Sequence, residues 1–135
     1  MSDWNAKVIK EFRENDGVVG GPFEGMTLLL LHTTGAKTGK ERLNPLATME
    51  ENDHYVIIAS KGGAPDNPDW YHNLVANPQV TVEVGTQTFK AYAEVTQEPE
   101  RSQLYSKMAE IYPGFKEYEQ KTVRVIPVIK LKPTS

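Results

Sequence analysis

Hydrophobic and polar positions change period several times along the chain, and each change marks an element. Over residues 4–14 (WNAKVIKEFRE), Trp4, Val8 and Phe12 recur every four residues with charged side chains between them, which predicts a short amphipathic helix ending before Gly17. After the glycine-rich connector DGVVGGPFEG, residues 26–33 (MTLLLLHT) are apolar without a break, as in a buried strand. Leu43 to Met49 and His54 to Ser60 predict two further strands, joined as a hairpin by the polar turn Glu50-Glu51-Asn52-Asp53. Asn67-Pro68 reads as the N-cap and first residue of a helix reaching Ala76, which Asn77-Pro78 ends. Val80, Val82 and Val84 alternate with polar residues. Phe89, Ala91, Ala93 and Val95 do the same after Gly85-Thr86, forming the clearest antiparallel hairpin in the chain. Pro99 opens a helix carrying Leu104, Met108, Ile111 and Tyr112 as far as Pro113-Gly114, and FKEYEQK adds a further helical turn. Thr122 to Leu131 reads as a last strand, with Pro127 pointing to an edge or a bulge.

These elements amount to about six antiparallel strands with peripheral helices, a mainly β (α+β) set that closes most economically as a small barrel. The βαβ alternation and the G-x-G-x-x-G turn of a Rossmann dinucleotide site are both absent. At 135 residues, with 39% hydrophobic and 24% charged, residues 1–135 form a single domain with one real core. A net charge of −3 argues against nucleic acid as a partner, because phosphate contacts need a basic surface. The lack of cysteine removes disulfides, thiolate catalysis and cysteine-based metal sites. MTLLLLH is too short to span a bilayer and no signal-peptide segment precedes it, so a cytoplasmic protein is expected. The first helix offers Trp4, Val8, Ile9 and Phe12 as a face for peripheral membrane contact. Lys7, Lys10 and Arg13 are balanced by Asp3, Glu11 and Glu14, however, so packing on the barrel is the better use of that face.

Candidate chemistry concentrates in HTTGAKTGKERLNPL (residues 32–46). It is not a P-loop: Gly35 and Gly39 enclose three residues instead of four, Glu41 follows Lys40, and Asn44-Pro45 would interrupt a helix. Its hydroxyls, flexible backbone and Lys37, Lys40 and Arg42 still make a cradle for phosphate or carboxylates. His32, His54 and His72 are too scattered for a metal centre, so no metal is expected. Ser60 and Lys61, as neighbours on a strand, point to opposite faces and make a poor dyad. A chain so poor in catalytic groups of its own favours a cofactor that carries the chemistry.

Four stretches occur together in order: Thr33-Thr34-Gly35-Ala36-Lys37-Thr38-Gly39 with Arg42-Leu43-Asn44-Pro45-Leu46; Ala59-Ser60-Lys61-Gly62-Gly63; Asp69-Trp70-Tyr71-His72-Asn73-Leu74 with Ala76-Asn77-Pro78; and a tyrosine-bearing tail. In this the chain resembles the deazaflavin (F420)-dependent nitroreductase and quinone reductase family, from about residue 4 to Pro133. The resemblance implies a split β-barrel like that of FMN-binding oxidases, and coenzyme F420 as cofactor. It places Ala36, Lys37 and Thr38 at the phosphate end, with Arg42, Leu43, Asn44, Pro45, Leu46 and Ala47 leading inward. Ile58, Ala59, Ser60 and Lys61 come beside the deazaflavin ring, where Gly62 and Gly63 allow close approach, and Asp69, Trp70, Tyr71, His72 and Asn73 close the pocket. Tyr112, Phe115 and Tyr118 wall the substrate space. Two positions depart from the family pattern: Ala36, where arginine is common, and Phe115, where members active on nitroimidazoles often carry tyrosine.

The implied reaction is hydride transfer from reduced F420 to a small electron-poor acceptor such as a quinone, enone or nitroaromatic, with Ser60 and Tyr112 as candidate catalytic hydroxyls. Two other readings stay open: an FMN- or haem-binding split barrel, and a non-catalytic F420 carrier. The protein is expected as a monomer or a homodimer.

Overall fold

The computed structural model describes residues 3–134, apart from the side chains of Asp3, Trp4, Pro22 and Gly62. The Trp4 ring expected on the first helix therefore lies outside the described residues. Seven strands form one antiparallel sheet: β1 (Leu28–Thr34), β2 (Glu41–Ala47), β3 (Met49–Glu51), β4 (His54–Ile58), β5 (Gln79–Val84), β6 (Gln87–Val95) and β7 (Val128–Pro133). Their order is β2-β1-β5-β6-β7-β4-β3. The helices are α1 (Asp3–Glu14), α2 (Asp69–Ala76), α3 (Glu100–Ile111) and α4 (Gly114–Lys121).

The two edge strands, β2 and β3, are consecutive in the chain and separated by Thr48 alone, so the sheet curls until its edges meet there. This corrects the strand expected over Leu43 to Met49. Its first part pairs with β1, in a register that runs from Leu28 opposite Ala47 to Thr34 opposite Glu41. Its last residue, Met49, pairs with Val56 of β4 at the opposite edge. Thr48 is fully buried and serves both edges: its N–H donates to the Thr27 carbonyl at 3.0 Å and its hydroxyl to the Val56 carbonyl at 2.8 Å. The tight turn of the β3–β4 hairpin is made by Asn52 and Asp53, both left-handed (φ 50° and 68°), while Glu50 and Glu51 belong to β3.

Three apolar clusters follow from this closure. Alternate residues of five strands point inward, among them Leu29 and Leu31, Ile57, Val80 and Val82, Ala93, and Ile129 and Leu131, and Trp70 and Leu74 of α2 pack with them. The intervening residues of β1, Leu28 and Leu30, face α1 and meet Val8, Ile9 and Phe12. Those of β4 and β7, Val56, Ile58 and Val128, face α3 and α4. The unbroken apolar runs of β1 and β4 thus reflect strands covered on both faces. Val80 and Val82, by contrast, alternate because β5 is buried mainly on one.

Three further details differ from the expectation. β7 begins only at Val128 and lies in the interior of the sheet, with Pro127 just before it as a carbonyl acceptor for the Ala59 N–H. A proline needs no ladder N–H there. Pro68, not Asn67, is the N-cap of α2, because the Asn67 side chain accepts a hydrogen bond from Arg124 instead. On α3, Tyr105 takes the buried position beside Leu104 and Met108, and Ile111 is exposed.

Polar contacts fasten α1 to the barrel. Arg13 donates from Nε and Nη2 to the two carboxylate oxygens of Glu83 on β5, at 3.2 and 2.7 Å, and the His32 ring sits 2.6 Å from the same carboxylate. The Arg13 hydrogen bond, helped by His32 and opposed by burial, holds the Glu83 carboxyl below the usual carboxylate range. A carboxylate held low in the folded state adds stability above its unfolded pKa and loses it as pH falls through the folded value. Wild type should therefore exceed Glu83→Gln in Tm near neutrality, and the gap should close below about pH 4. A gap that stays constant down to pH 3 would remove the ion pair from the stability of α1. Thr48→Val keeps the shape but loses the bond to the Val56 carbonyl, and should cost about 1–3 kcal/mol in denaturant unfolding.

Candidate functional site

A cleft of about 1990 Å³ runs along the outside of β2, between the β1–β2 hairpin at one end and the α3–α4 junction at the other. That exceeds the roughly 300–1,000 Å³ of ordinary small-molecule pockets, and suits an elongated ligand with a second molecule beside it.

The first end is the β1–β2 turn. Thr34 still pairs with Glu41, and the turn between them closes on itself: Gly35 N–H donates to the Lys40 carbonyl at 2.7 Å and Gly39 N–H to the Gly35 carbonyl at 2.9 Å. A Cβ on Gly35 would lie 2.6 Å from Thr38 Oγ1, which accepts from the Lys40 N–H at 3.2 Å. Asn73 of α2 braces the turn from below, accepting from the Ala36 N–H at 2.9 Å and donating to Thr33 Oγ1 at 3.3 Å. Lys37, Lys40 and Arg42 stand exposed on this frame and form no ion pair among the described residues. The cradle expected from composition is a tightly closed hairpin tip.

Ala36, Lys37, Thr38 and Arg42 line this end, and Leu43 through Ala47 continue along the half-exposed outer edge of β2. Ile58, Ser60 and Lys61 line the opposite wall, with Asp69, Trp70, His72 and Asn73 from the start of α2. Ala59 and Tyr71, expected in the same set, do not line the cleft. Strand alternation turns Ala59 into the barrel core, where it is fully buried. Tyr71 packs half-buried against the same core, edge-on to His72 with ring centres 5.5 Å apart. Trp70 is 6% exposed and serves as both core anchor and wall.

The second end is aromatic. Phe115, 8% exposed, is the hub: Tyr105, Tyr112 and Tyr118 meet its ring edge-on at 6.3, 6.0 and 5.8 Å between centres. Burial pushes the Tyr105 phenol up to about 12, and its hydroxyl donates to the Phe115 carbonyl. Tyr112 lines the cleft, but its hydroxyl is engaged at the barrel seam, donating to the Thr48 carbonyl at 3.0 Å and accepting from the Thr27 N–H at 3.2 Å. Its proton is therefore held by the backbone.

Two contributors had no legible signal in the sequence. Phe23 and Gly25 of the connector line the cleft, though its composition suggested only a linker, and so does Met26, expected at the start of the first strand. Arg124 lay within the expected last strand. It sits half-buried behind the wall and donates to the carbonyls of Ala59 (3.2 Å), Ser60 (2.8 Å) and Ala64 (2.9 Å) and to Asn67 Oδ1 (2.6 Å). Among the described residues no His/Asp/Glu group could hold a metal, and no helix is long and apolar enough to cross a membrane.

The family model for F420H(2)-dependent quinone reductase matches residues 4–133. An F420H(2)-dependent quinone reductase of Mycobacterium tuberculosis is 40% identical over 124 residues, which are 89% of this chain and 83% of that protein. The solved structure of an F420H2-dependent reductase (FDR-A) superposes with a TM-score of 0.73 at 42% identity, covering 78% of this chain and 94% of that one. A structure described as a domain-swapped dimer gives 0.74 at 38% identity, covering 96% and 98%. At 9% identity, a Listeria innocua protein described as a candidate pyridoxamine 5′-phosphate oxidase covers 98% of this chain with a TM-score of 0.58, and carries the fold alone: a split barrel.

The hairpin geometry makes one prediction about Gly35. In Gly35→Ala, Thr38 has to leave the Lys40 N–H, at a cost of about 1–3 kcal/mol for the forced repacking. Amide exchange at Lys40 should quicken in the variant, and unchanged exchange would show that Thr38 does not hold the turn.

Proposed function

The chain belongs to the F420H(2)-dependent quinone reductase family, and on that premise we propose that it transfers a hydride from reduced coenzyme F420 to a quinone. The observation that carries this reading is the polarity of the cleft: unpaired cations at one end and an aromatic wall at the other. That donor set fits an elongated cofactor with an anionic tail and a planar ring. When bound, the cofactor supplies the hydride.

The residues supply position and charge. Lys37, Thr38 and Arg42 hold the anionic tail, with Lys37 and Arg42 carrying the grip because Ala36 offers no charge. Leu43, Asn44, Pro45, Leu46 and Ala47 guide the cofactor along β2, and Ile58, Ser60 and Lys61 flank the ring with Trp70 at the start of α2. Phe115, Tyr112 and Tyr118 wall the acceptor space and exclude water from it. Ser60, 8% exposed on the cleft wall, polarises the acceptor oxygen as negative charge develops. With the Tyr112 proton held by Thr48, protonation of the product falls to Ser60, Tyr118 or solvent. Phe115 offers no hydroxyl to a nitro group, which favours quinones and enones over nitroaromatics.

The protein works as a monomer or a homodimer, and a domain-swapped relative at 38% identity supports looking for the dimer by light scattering. Peripheral membrane contact through α1 is disfavoured, because its Val8, Ile9 and Phe12 are consumed by packing on β1.

Anaerobic titration with reduced F420, followed by menadione while deazaflavin absorbance is monitored, tests the proposal. Saturable binding and rapid reoxidation are expected, and Lys37→Ala and Arg42→Ala should each weaken coenzyme binding about tenfold, less so in high salt. Binding without reoxidation would favour a carrier; no binding would overturn the proposal.

A further inference from the structure

Arg124 forms no ion pair among the described residues, yet four guanidinium hydrogen bonds all fall on one short segment, residues 59–67. That segment carries Ser60 and Lys61 and leads into α2. A planar fork with five N–H donors suits four separate oxygens, whereas a lysine ammonium has three donors on one atom. The segment needs such a hold. Lys61 has φ +47°, a left-handed conformation that a non-glycine residue adopts at a cost. Two residues on, Gly63 is approached from the other direction: a Cβ there would lie 2.9 Å from Lys121 Cβ and 3.0 Å from the Tyr118 carbonyl of α4. Arg124 and α4 thus grip the turn between them.

The choice of acceptors has a chemical consequence. The Ala59 carbonyl belongs to the same peptide unit as the Ser60 N–H, and the Ser60 carbonyl to that of the Lys61 N–H. The strand ladder ends at Ala59, whose N–H bonds the Pro127 carbonyl at 3.0 Å, and the next two residues, Ser60 and Lys61, line the cleft beyond it. A cation bonded to a carbonyl draws electron density from its peptide unit and makes the attached N–H a stronger donor.

We infer that Arg124 is a positioning residue of the cleft: it holds the Ser60–Lys61 backbone and strengthens two N–H donors toward an electron-rich ring edge. The donor part rests on the deazaflavin reading; the holding part stands on the geometry alone.

Two readouts test it, on Arg124→Ala and on Arg124→Lys, which keeps the charge if the alanine variant folds poorly. In the protein without coenzyme, exchange of the Gly63 and Ala64 amides, bonded to the Ser60 and Lys61 carbonyls at 2.9 and 3.1 Å, reports opening of the turn. Both variants should exchange about tenfold faster there than wild type, with α1 and β5 unchanged. Millimolar guanidinium, but not ammonium at equal ionic strength, should restore protection in Arg124→Ala. With reduced F420 at saturation, kcat toward menadione should fall about tenfold and recover with guanidinium, while quinone KM moves little. Unchanged exchange at Gly63 and Ala64 in a folded variant overturns the holding role, and unchanged kcat overturns the donor role. A wild type that never reoxidises the coenzyme overturns the functional reading instead, and the exchange result still decides the role of Arg124 in the turn.

Discussion

The fold depends on closing a sheet whose two edges are joined through one residue. Thr48 ends the β1–β2 ladder with its N–H and reaches the β4 edge with its hydroxyl, so β2 and β3 are held to opposite edges although they are neighbours in the chain. Its carbonyl then receives the Tyr112 hydroxyl, which also accepts from Thr27. Three backbone and side-chain groups of Thr48 are thereby satisfied at a fully buried position. The C-terminal end of α3 is drawn onto the seam by the same contact. Because that end carries Tyr112 and leads into the turn to Phe115, the closure of the barrel and the aromatic end of the cleft share one set of bonds.

Charge is distributed with the same economy. Arg13, Lys61, Arg101, Lys107, Lys130 and Lys132 all have carboxylate partners within 3.4 Å. Lys37, Lys40 and Arg42 do not, although the chain carries a net charge of −3. Glu41 is adjacent to them in the chain. It too lines the cleft, with its carboxylate 3.3 Å from His32 Nδ1 rather than paired with a lysine or Arg42. The hairpin tip thus keeps exposed positive charge within an acidic protein, where it can attract a polyanion.

Much of this was legible in the chain, for identifiable reasons. The β5–β6 hairpin was read to within a residue because β5 and β6 alternate, and period two leaves little freedom of register. β1 was read as buried because a strand covered on both faces shows an unbroken apolar run. The break at Thr48 was hidden, since a residue that serves two edges of a closed sheet looks like any β-branched residue within a strand. Pro127 misled in the opposite direction: it marks the residue before a strand interior to the sheet, where only its carbonyl is used. Of the motif residues expected at the site, all but Ala59 and Tyr71 line the cleft; these two share its elements but point inward, a distinction that depends on strand and helix phase.

The aromatic wall shows why local spacing could not separate structure from function. Tyr112, Phe115 and Tyr118 lie three residues apart and all reach the cleft. Their hydroxyls have different fates: that of Tyr112 is bound into the seam, while Phe115 has none. Restoring a hydroxyl at position 115 would place it at the hub of three edge-on rings, in a site only 8% exposed. A buried hydroxyl without a partner costs roughly 1–3 kcal/mol. The phenylalanine is thus what a tightly packed wall prefers when no substrate group has to be met there. On the proposed function, an acceptor at this end would meet ring faces and edges and the Tyr118 hydroxyl, with further polar recognition from the opposite wall, where Arg124 holds the Ser60–Lys61 backbone in place.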